Sequence, residues 1–534
     1  MRVEWRSPQR LLALLTAVLV LPKLVGAFSL GFGDSEALYA TYAIDLAPGY
    51  LDHPGAVGLL ARVIALATSS PIPSPLVAHV VTTLLSAAVP WVGVAAARAS
   101  GASPTRSYVT GLGLIAAPEI AIGLFGLTPD LPLSFCWLAT LAFASKALTT
   151  HDRARVGFAV LAGAFAAGAV WSKASGGLLV LALFAAVLRP PSDTRDHKEI
   201  HHRRGVMLLA VVVALVLIAP LVAFEMGNGW PMLTHRLVST QSRSGVSLRN
   251  LGAFIGGQLA YVSPPLLIAA VLGGWRLLSR SPRSAQRHWL AIVTAISALA
   301  LGALCLWSRV AEPHWFAPVW LCVAIDASLV ESPSEAGAEP SSAPRWVRAS
   351  ALPVGLAMSL LVQLYTLTDL FPAALGGTRW YQGKYDLAND MKSWVQATAL
   401  LQSHHAQHVE RWVVTPHWTV AAQAQVVLGE TALVTTRPAN PQHASVLDDF
   451  RKREREITTR DNGVLTRASR GDARVMVVWD DRFERPSTSA QCSSHEEAQL
   501  VRADRVVRTI FIEDDCHAPD ELVAQIAVGA EPFL

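Results

Sequence analysis

Residues 11–54 read LLALLTAVLVLPKLVGAFSLGFGDSEALYATYAIDLAPGYLDHP, an apolar run about twenty residues long that passes straight into an acidic segment. At about 1.5 Å of rise per residue such a run reaches across a hydrocarbon core of about 30 Å. Arg2, Arg6 and Arg10 precede it as in a secretory leader, but no A-x-A-like cleavage site closes it, so the run is expected to stay as a membrane anchor. The segment after it holds Asp34, Glu36, Asp45 and Asp52, with no base before Arg62.

The rest of the chain has the same division. Across 534 residues and 57.2 kDa, 52% are hydrophobic, 16% are charged and the mean hydropathy is +0.37. That excludes an ordinary soluble enzyme, and five cysteines are too few for a disulfide-stapled secreted scaffold. Lys+Arg against Asp+Glu is 26 to 18 over residues 1–370 and 18 to 22 over 371–534, so charge density about doubles in the second part. The expectation is a transmembrane domain over 1–370 and a water-soluble domain over 371–534.

Eleven apolar runs have spanning length, near 11–30, 75–97, 107–126, 131–149, 156–172, 175–189, 206–225, 251–274, 288–307, 315–330 and 350–370. The pair divided at Trp171-Ser172-Lys173 also reads as one long interrupted helix, and 54–70 suits an interfacial helix better than a span. With the N-terminus inside, the inner loops carry Arg98, Arg106, Lys146, Arg153, Arg155, the cluster from Arg189 to Arg204, Arg276 to Arg287, Arg345 and Arg348. The opposite loops carry chiefly Arg62, Lys173, Arg236, Arg243, Arg249 and Arg309. Basic residues in short loops resist translocation, so the N-terminus is expected in the cytoplasm of a bacterial inner membrane and the tail in the periplasm. In that tail, apolar runs at 412–414, 432–434, 475–479 and 506–512 alternate with helical stretches near 386–402 and 417–428, which predicts a small α/β domain. Cys492 and Cys516 would sit there in an oxidising compartment, as a disulfide or as two free thiols.

The outer loops carry the chemistry. An acidic loop can be merely one side of a charge-sorted protein, but Asp34 lies where the first span leaves the bilayer, with Tyr39, Tyr42 and Tyr50 able to line a groove beside it. A carboxylate partly desolvated at that boundary can be tuned toward general-base work. Thr128-Pro129-Asp130 puts another acid at the outer face, where capping the next helix would be the plain explanation. Lys173, Arg236, Arg243 and Arg309 are outer-face cations able to hold a phosphate or simply to snorkel. His314 opens the tenth run.

The ordered set Gly33-Asp34-Ser35-Glu36-Ala37-Leu38-Tyr39, Gly49-Tyr50-Leu51-Asp52-His53-Pro54, Thr128-Pro129-Asp130, Trp171-Ser172-Lys173, Asn228-Gly229-Trp230, Gln258 with Pro264-Pro265, and His314-Trp315-Phe316-Ala317-Pro318 resembles the bacterial GT-C glycosyltransferases. These include the 4-amino-4-deoxy-L-arabinose lipid A transferases and relatives of the dolichyl-phosphate-mannose protein mannosyltransferases. The resemblance covers most of residues 25–320. It implies a polytopic helical membrane enzyme of GT-C type with a soluble α/β domain. Its reaction would be inverting transfer of a sugar from a polyprenyl phosphate to an envelope lipid, glycan or protein on the outer face, with no nucleic-acid partner. A first-loop acid would be the general base. The family usually has adjacent Asp-Glu, whereas Ser35 here separates Asp34 from Glu36; the order of preference is Asp34, Glu36, Asp52. The family's Asp-His-Pro-Pro appears as Asp52-His53-Pro54-Gly55.

Substrate contacts are expected from Tyr39, His53, Asp130, Lys173, Arg243, Arg309 and His314. Lys173, Arg243 or Arg309 can stabilise a departing phosphate without a metal. A divalent cation held by Asp34 and Asp130 is the alternative, although no His/Cys ligand cluster accompanies it. Two other classes compete: a transporter or flippase, which should show repeated halves and polar groups at span midpoints, and a non-catalytic envelope assembly protein on the same scaffold.

Overall fold

The computed structural model describes residues 7–191, 196–241, 244–279, 284–308, 312–329, 343–376, 378–379, 381–407, 412–429, 433–436, 474–485 and 492–517. The chain divides into two compact units, Met1–Leu24 with Asp52–Val57 and Val81–Gln363, and Val25–Leu51 with Gly58–Val80 and Leu364–Leu534.

The first unit is helical. Among the described residues, seven helices of the chain are long and apolar enough to cross a membrane: Pro8–Ser29, Pro75–Ala99, Asp130–Thr149, Ala154–Ser172, His197–Gly227, Ala285–Trp307 and Arg345–Leu367. Two bent pairs bring the number to nine: Ser107–Ile115 with Pro118–Phe125, bent by 79°, and Leu248–Val262 with Pro264–Ser279, bent by 106°. Nine of the eleven expected runs thus have spanning length among the described residues. The remaining two runs fold as the helices Gly177–Leu188 and Ala317–Leu329, of 12 and 13 residues. Lys173 shortens the first of these. Its backbone is extended after Ser172, a single 3₁₀ turn follows at Ala174–Gly176, and the next helix begins at Gly177, so the two helices are separate. Pro313 opens a similar 3₁₀ turn, Pro313–Phe316, before the second. Ala56–Leu66 is a helix of only 11 residues, short of a crossing.

Small residues set the packing. Ala144, Ala147, Ala159, Ala162, Ala166, Ala169, Ala182, Ala186, Ala210 and Ala214 are buried around Trp137, Leu141 and Leu183, so backbones approach closely where lipid gives little hydrophobic drive. A Cβ on Gly163 would overlap the Ala210 carbonyl, and one on Gly355 would overlap the Ala116 carbonyl. Ala116 sits at the first bend, where Ala117 is extended and Pro118 starts a new helix. The second bend has Ser263 at φ 76 followed by Pro264 and Pro265.

In the second unit the tail forms a five-stranded mixed sheet, β1 (Trp412–Thr415), β2 (Leu433–Thr436), β3 (Arg474–Asp480), β4 (Ser494–Arg502) and β5 (Arg505–His517), in the order β2-β1-β3-β5-β4. β1 runs parallel to β2 and β3, whereas β5 runs antiparallel to β3 and β4. Helices Leu387–Gln407 and Trp418–Leu428 cover one face, where Trp394, Ala397, Leu401, Val420 and Ala424 meet Met476, Val478, Ile510 and Ile512. The expected strands and helices are present. β4 is an addition, a largely polar edge strand joined to β5 by a tight turn with positive φ at Ala503 and Asp504. Cys492 and Cys516 form a disulfide.

Candidate active site

In the first unit, helix ends and breaks bring distant residues together. Asp130 is the first residue of its span. It takes Lys173 Nζ at 2.8 Å on Oδ1 and His314 Nε2 at 3.6 Å on Oδ2. Lys173 can reach it because the chain is extended there, between two helices. His314 is held from its other side by Glu312, with Nδ1 3.0 Å from Oε2. This hydrogen bond keeps the Glu312 pKa below its usual range despite burial.

Asp52 and His53 join the same cluster through the turn His235–Ser239. Arg236 pairs with the Asp52 carboxylate, its Nη2 3.2 Å from Oδ1, and donates from Nε to the Asp52 carbonyl at 3.1 Å; its Nη2 also lies 3.3 Å from His53 Nε2. His235 Nε2 is 3.5 Å from Asp52 Oδ1. Burial alone would raise the Asp52 pKa, but the His235 hydrogen bond and the Arg236 charge outweigh it and bring it to about 2. His53 is fully enclosed; burial first, then Arg236 and Lys173, push its pKa down to about 3. It is therefore neutral, and its Nε2 accepts from Arg236. Trp315 is shared by both cations, with Lys173 Nζ 5.6 Å and Arg236 Cζ 6.0 Å from its ring centroid. The turn carrying His314 and Trp315 is pinned by Gln258, which donates to the Pro313 carbonyl at 2.7 Å and accepts from Trp320 at 2.7 Å. Glu119, buried in the second half of the first bent pair, is electrostatically linked to Asp130 and Lys173.

The other expected residues lie in the second unit. Asp34 opens the helix Asp34–Thr41. Its Oδ2 takes Arg482 Nη1 at 2.6 Å, and Oδ1 is 3.5 Å from Gln423 Nε2. Glu36 is buried, accepting from the Gly33 N–H at 2.9 Å and lying 3.2 Å from His79 Nε2. Tyr39 is buried and tilted against Tyr42, which stacks on Tyr50 with centroids 3.7 Å apart. Arg482 also binds Asp390 at 3.1 Å and Asp480 at 2.7 Å, and Arg508 lies 3.0 Å from Asp390. Asp34 and Asp130 thus belong to different units, and each spends its carboxylate on protein cations. Arg243 and Arg309 lie outside the described residues.

Residues 52–224, which include Asp52, His53, Asp130 and Lys173, match the family model for dolichyl-phosphate-mannose-protein mannosyltransferase. The fold matches ArnT from Cupriavidus metallidurans bound to undecaprenyl phosphate with a TM-score of 0.58 at 16% identity, over 98% of this chain and 99% of that one. Residues 52–224 are thus similar to that mannosyltransferase family, and the chain has an ArnT-like fold. Its apo ArnT counterpart gives a TM-score of 0.59 at 16% identity, over 98% and 99% of the two chains. The apo oligosaccharyltransferase of Archaeoglobus fulgidus gives 0.50 at 13% identity, over 90% of this chain and 70% of that one. No curated protein matches by sequence. The chain is an integral multi-pass membrane protein.

Several residues of the chain escape a linear reading. Glu119 is hidden in the apolar run LIAAPEIAIGLFGL, where its only signal is the adjacent Pro118. His235 lies beside Arg236 with no motif around it. Arg482 and Asp390 are ordinary surface-type residues of a charged tail, 448 and 356 positions from Asp34, and only the tertiary fold joins them to it.

Proposed function

We propose that this chain transfers a sugar, with inversion, from a polyprenyl phosphate to an envelope acceptor on the periplasmic face of a bacterial inner membrane. The observation that supports this reading best is the pair of cations, Lys173 and Arg236, that share the ring of Trp315, backed by Asp130, Asp52 and neutral His53. A phosphate leaving group takes over the electron pair of the bond to the anomeric carbon, and fixed cations stabilise the charge that develops. They supply that charge without a metal.

The acceptor hydroxyl forms its bond to the anomeric carbon as the bond to phosphate breaks. Its proton passes to a carboxylate, for which Asp34 is first choice. Glu36 uses both oxygens within the fold, and Asp52, with its pKa near 2, is a weak proton acceptor better suited to orienting Arg236. Asp130, His314 and His53 are assigned to holding the cations. The products are glycosylated acceptor and polyprenyl phosphate, and the proton on Asp34 returns to water. Tyr39, enclosed by its neighbours, is assigned to shaping the first loop.

The decisive experiment is consumption of radiolabelled undecaprenyl-phosphate-linked hexoses and pentoses by membranes containing the wild-type chain, Lys173→Gln or Asp34→Asn. The reading expects wild-type turnover and a loss of about 100-fold or more in each variant. Wild-type membranes that consume none of the donors, or two fully active variants, refute it.

A further inference from the structure

We propose that Arg482, on the turn after β3, is a positioning residue that fixes the carboxylate of Asp34 and leaves Oδ1 as the oxygen that accepts the proton. The inference rests on the assignment of Asp34 as the base and extends it to a residue of the C-terminal sheet.

The argument starts from how Arg482 is mounted. Asp480, the last residue of β3, is fully buried and grips Arg482 four times. Its Oδ1 accepts from the Arg482 backbone N–H at 2.9 Å and from Nε at 3.0 Å, and its Oδ2 accepts from Nε at 3.1 Å and from Nη2 at 2.7 Å. A guanidinium held side-on in this way has little freedom, and one nitrogen, Nη1, remains to point outward. Nη1 meets Asp34 Oδ2 at 2.6 Å and Asp390 Oδ1 at 3.1 Å. Asp390 is shared in turn with Arg508, which is fully buried, 3.7 Å from Asp480 and 3.4 Å from Asp481.

The backbone around Asp34 is tied to the same elements. The Gly31 N–H donates to the Met391 carbonyl at 2.7 Å, and Gln423 donates to the Phe32 carbonyl at 2.8 Å. Asp34 therefore has its main chain strapped to two helices and one carboxylate oxygen fixed by a rigid guanidinium. Among the described residues, its Oδ1 has one long contact, to Gln423 at 3.5 Å. A base held in one orientation loses less entropy when the acceptor arrives, and a displacement of about 1 Å can cost about 100-fold in rate.

The test uses the full chain in lipid nanodiscs with undecaprenyl-phosphate-linked sugars. Arg482→Gln is expected to lower kcat by about 100-fold while KM for the donor stays within about twofold. Arg482→Lys, which keeps the charge but loses the fork, should recover about a tenfold share of that loss. Unchanged kcat, a KM that rises as kcat falls, or a lysine variant no better than glutamine overturns the proposal. Should Arg482→Gln not fold, Arg482→Lys is combined with Asp34→Glu, which lengthens the opposite arm. Partial recovery over either single variant supports the pairing, and additive losses overturn it. If Asp34→Asn keeps full turnover, the base assignment falls and this inference with it. If Asp34→Asn is inactive while Arg482→Gln is normal, only the role of Arg482 falls.

Discussion

Arg236 shows why a single cation here is not replaceable by another. Its planar fork reaches the Asp52 side chain, the Asp52 carbonyl and His53 Nε2, and its face lies on Trp315. A lysine has the charge without the fork, so Arg236→Lys should lose at least one charge-assisted bond, about 1.5–3 kcal/mol, and with it about 10- to 100-fold in kcat/KM for the polyprenyl-linked donor. Activity within twofold of wild type would show that Arg236 contributes bulk charge only. Asp390 makes a second prediction. Burial, then the nearby Asp34 charge, raises its pKa from 3.8 to about 6, with Arg482 and Arg508 pulling the other way. Between those values the folded chain keeps a proton that the unfolded chain has lost, so this contribution is complete below pH 3.8 and declines as pH rises through 6. Thermal unfolding in detergent should therefore show wild type losing stability relative to Asp390→Asn between pH 4 and pH 7; a relative gain would refute the assignment. Of these residues, Asp34, Asp52, Asp130 and Lys173 are legible in the sequence because charge is scarce around them. Asp390 and Arg482 lie in a tail where charge is common, and nothing local distinguishes them.

Among the elements, the breaks matter more than the spans. Asp130 starts a helix, Lys173 separates two, His314 sits on a 3₁₀ turn, and Glu119 lies beside the first sharp bend. Apolar length locates the helices well, since it depends only on local composition. It merges a bent pair into one run, because proline and serine in an apolar stretch reveal a bend but not its angle. Where such a bend meets another helix, the contact is strict. Gly355, in the last span, lies directly on the Ala116 carbonyl, at the first bend. A side chain there must push the two apart, so Gly355→Val is expected to cost about 1–3 kcal/mol, read as a lower thermal midpoint, and Gly157→Val, with open space around its Cα, should cost much less. Equal midpoints for the two variants would mean that the contact relaxes freely.

At the scale of the whole molecule, sidedness decides whether the chemistry proposed here is possible, since the sugar of a polyprenyl donor must be met on the face where the acids lie. Seven spans or nine, the counts among the described residues, are both odd numbers, so either would leave the two termini on opposite sides. The proposed reaction needs the side that the basic residues favour, with the cluster from Arg189 to Arg204 and the run from Arg276 to Arg287 inside and Asp34, Asp52 and Asp130 outside. The Cys492–Cys516 disulfide adds a chemical criterion, since such a bond persists in an oxidising compartment and is rare in a reducing one. In a chain with Cys136, Cys305 and Cys322 replaced by alanine, a membrane-impermeant maleimide added to cells with a permeabilised outer membrane should label nothing until a reductant is supplied, and should then label the tail. Labelling that needs no reductant, or that appears only after the inner membrane is opened, would reverse the orientation and remove the basis for a periplasmic transfer. The bond should also hold the sheet together. It closes a loop with a sequence separation of 24, for which the chain-entropy estimate is roughly 3 kcal/mol. Cys492→Ser should lower the melting temperature of the tail, and an unchanged midpoint would show that the bond adds nothing to its stability.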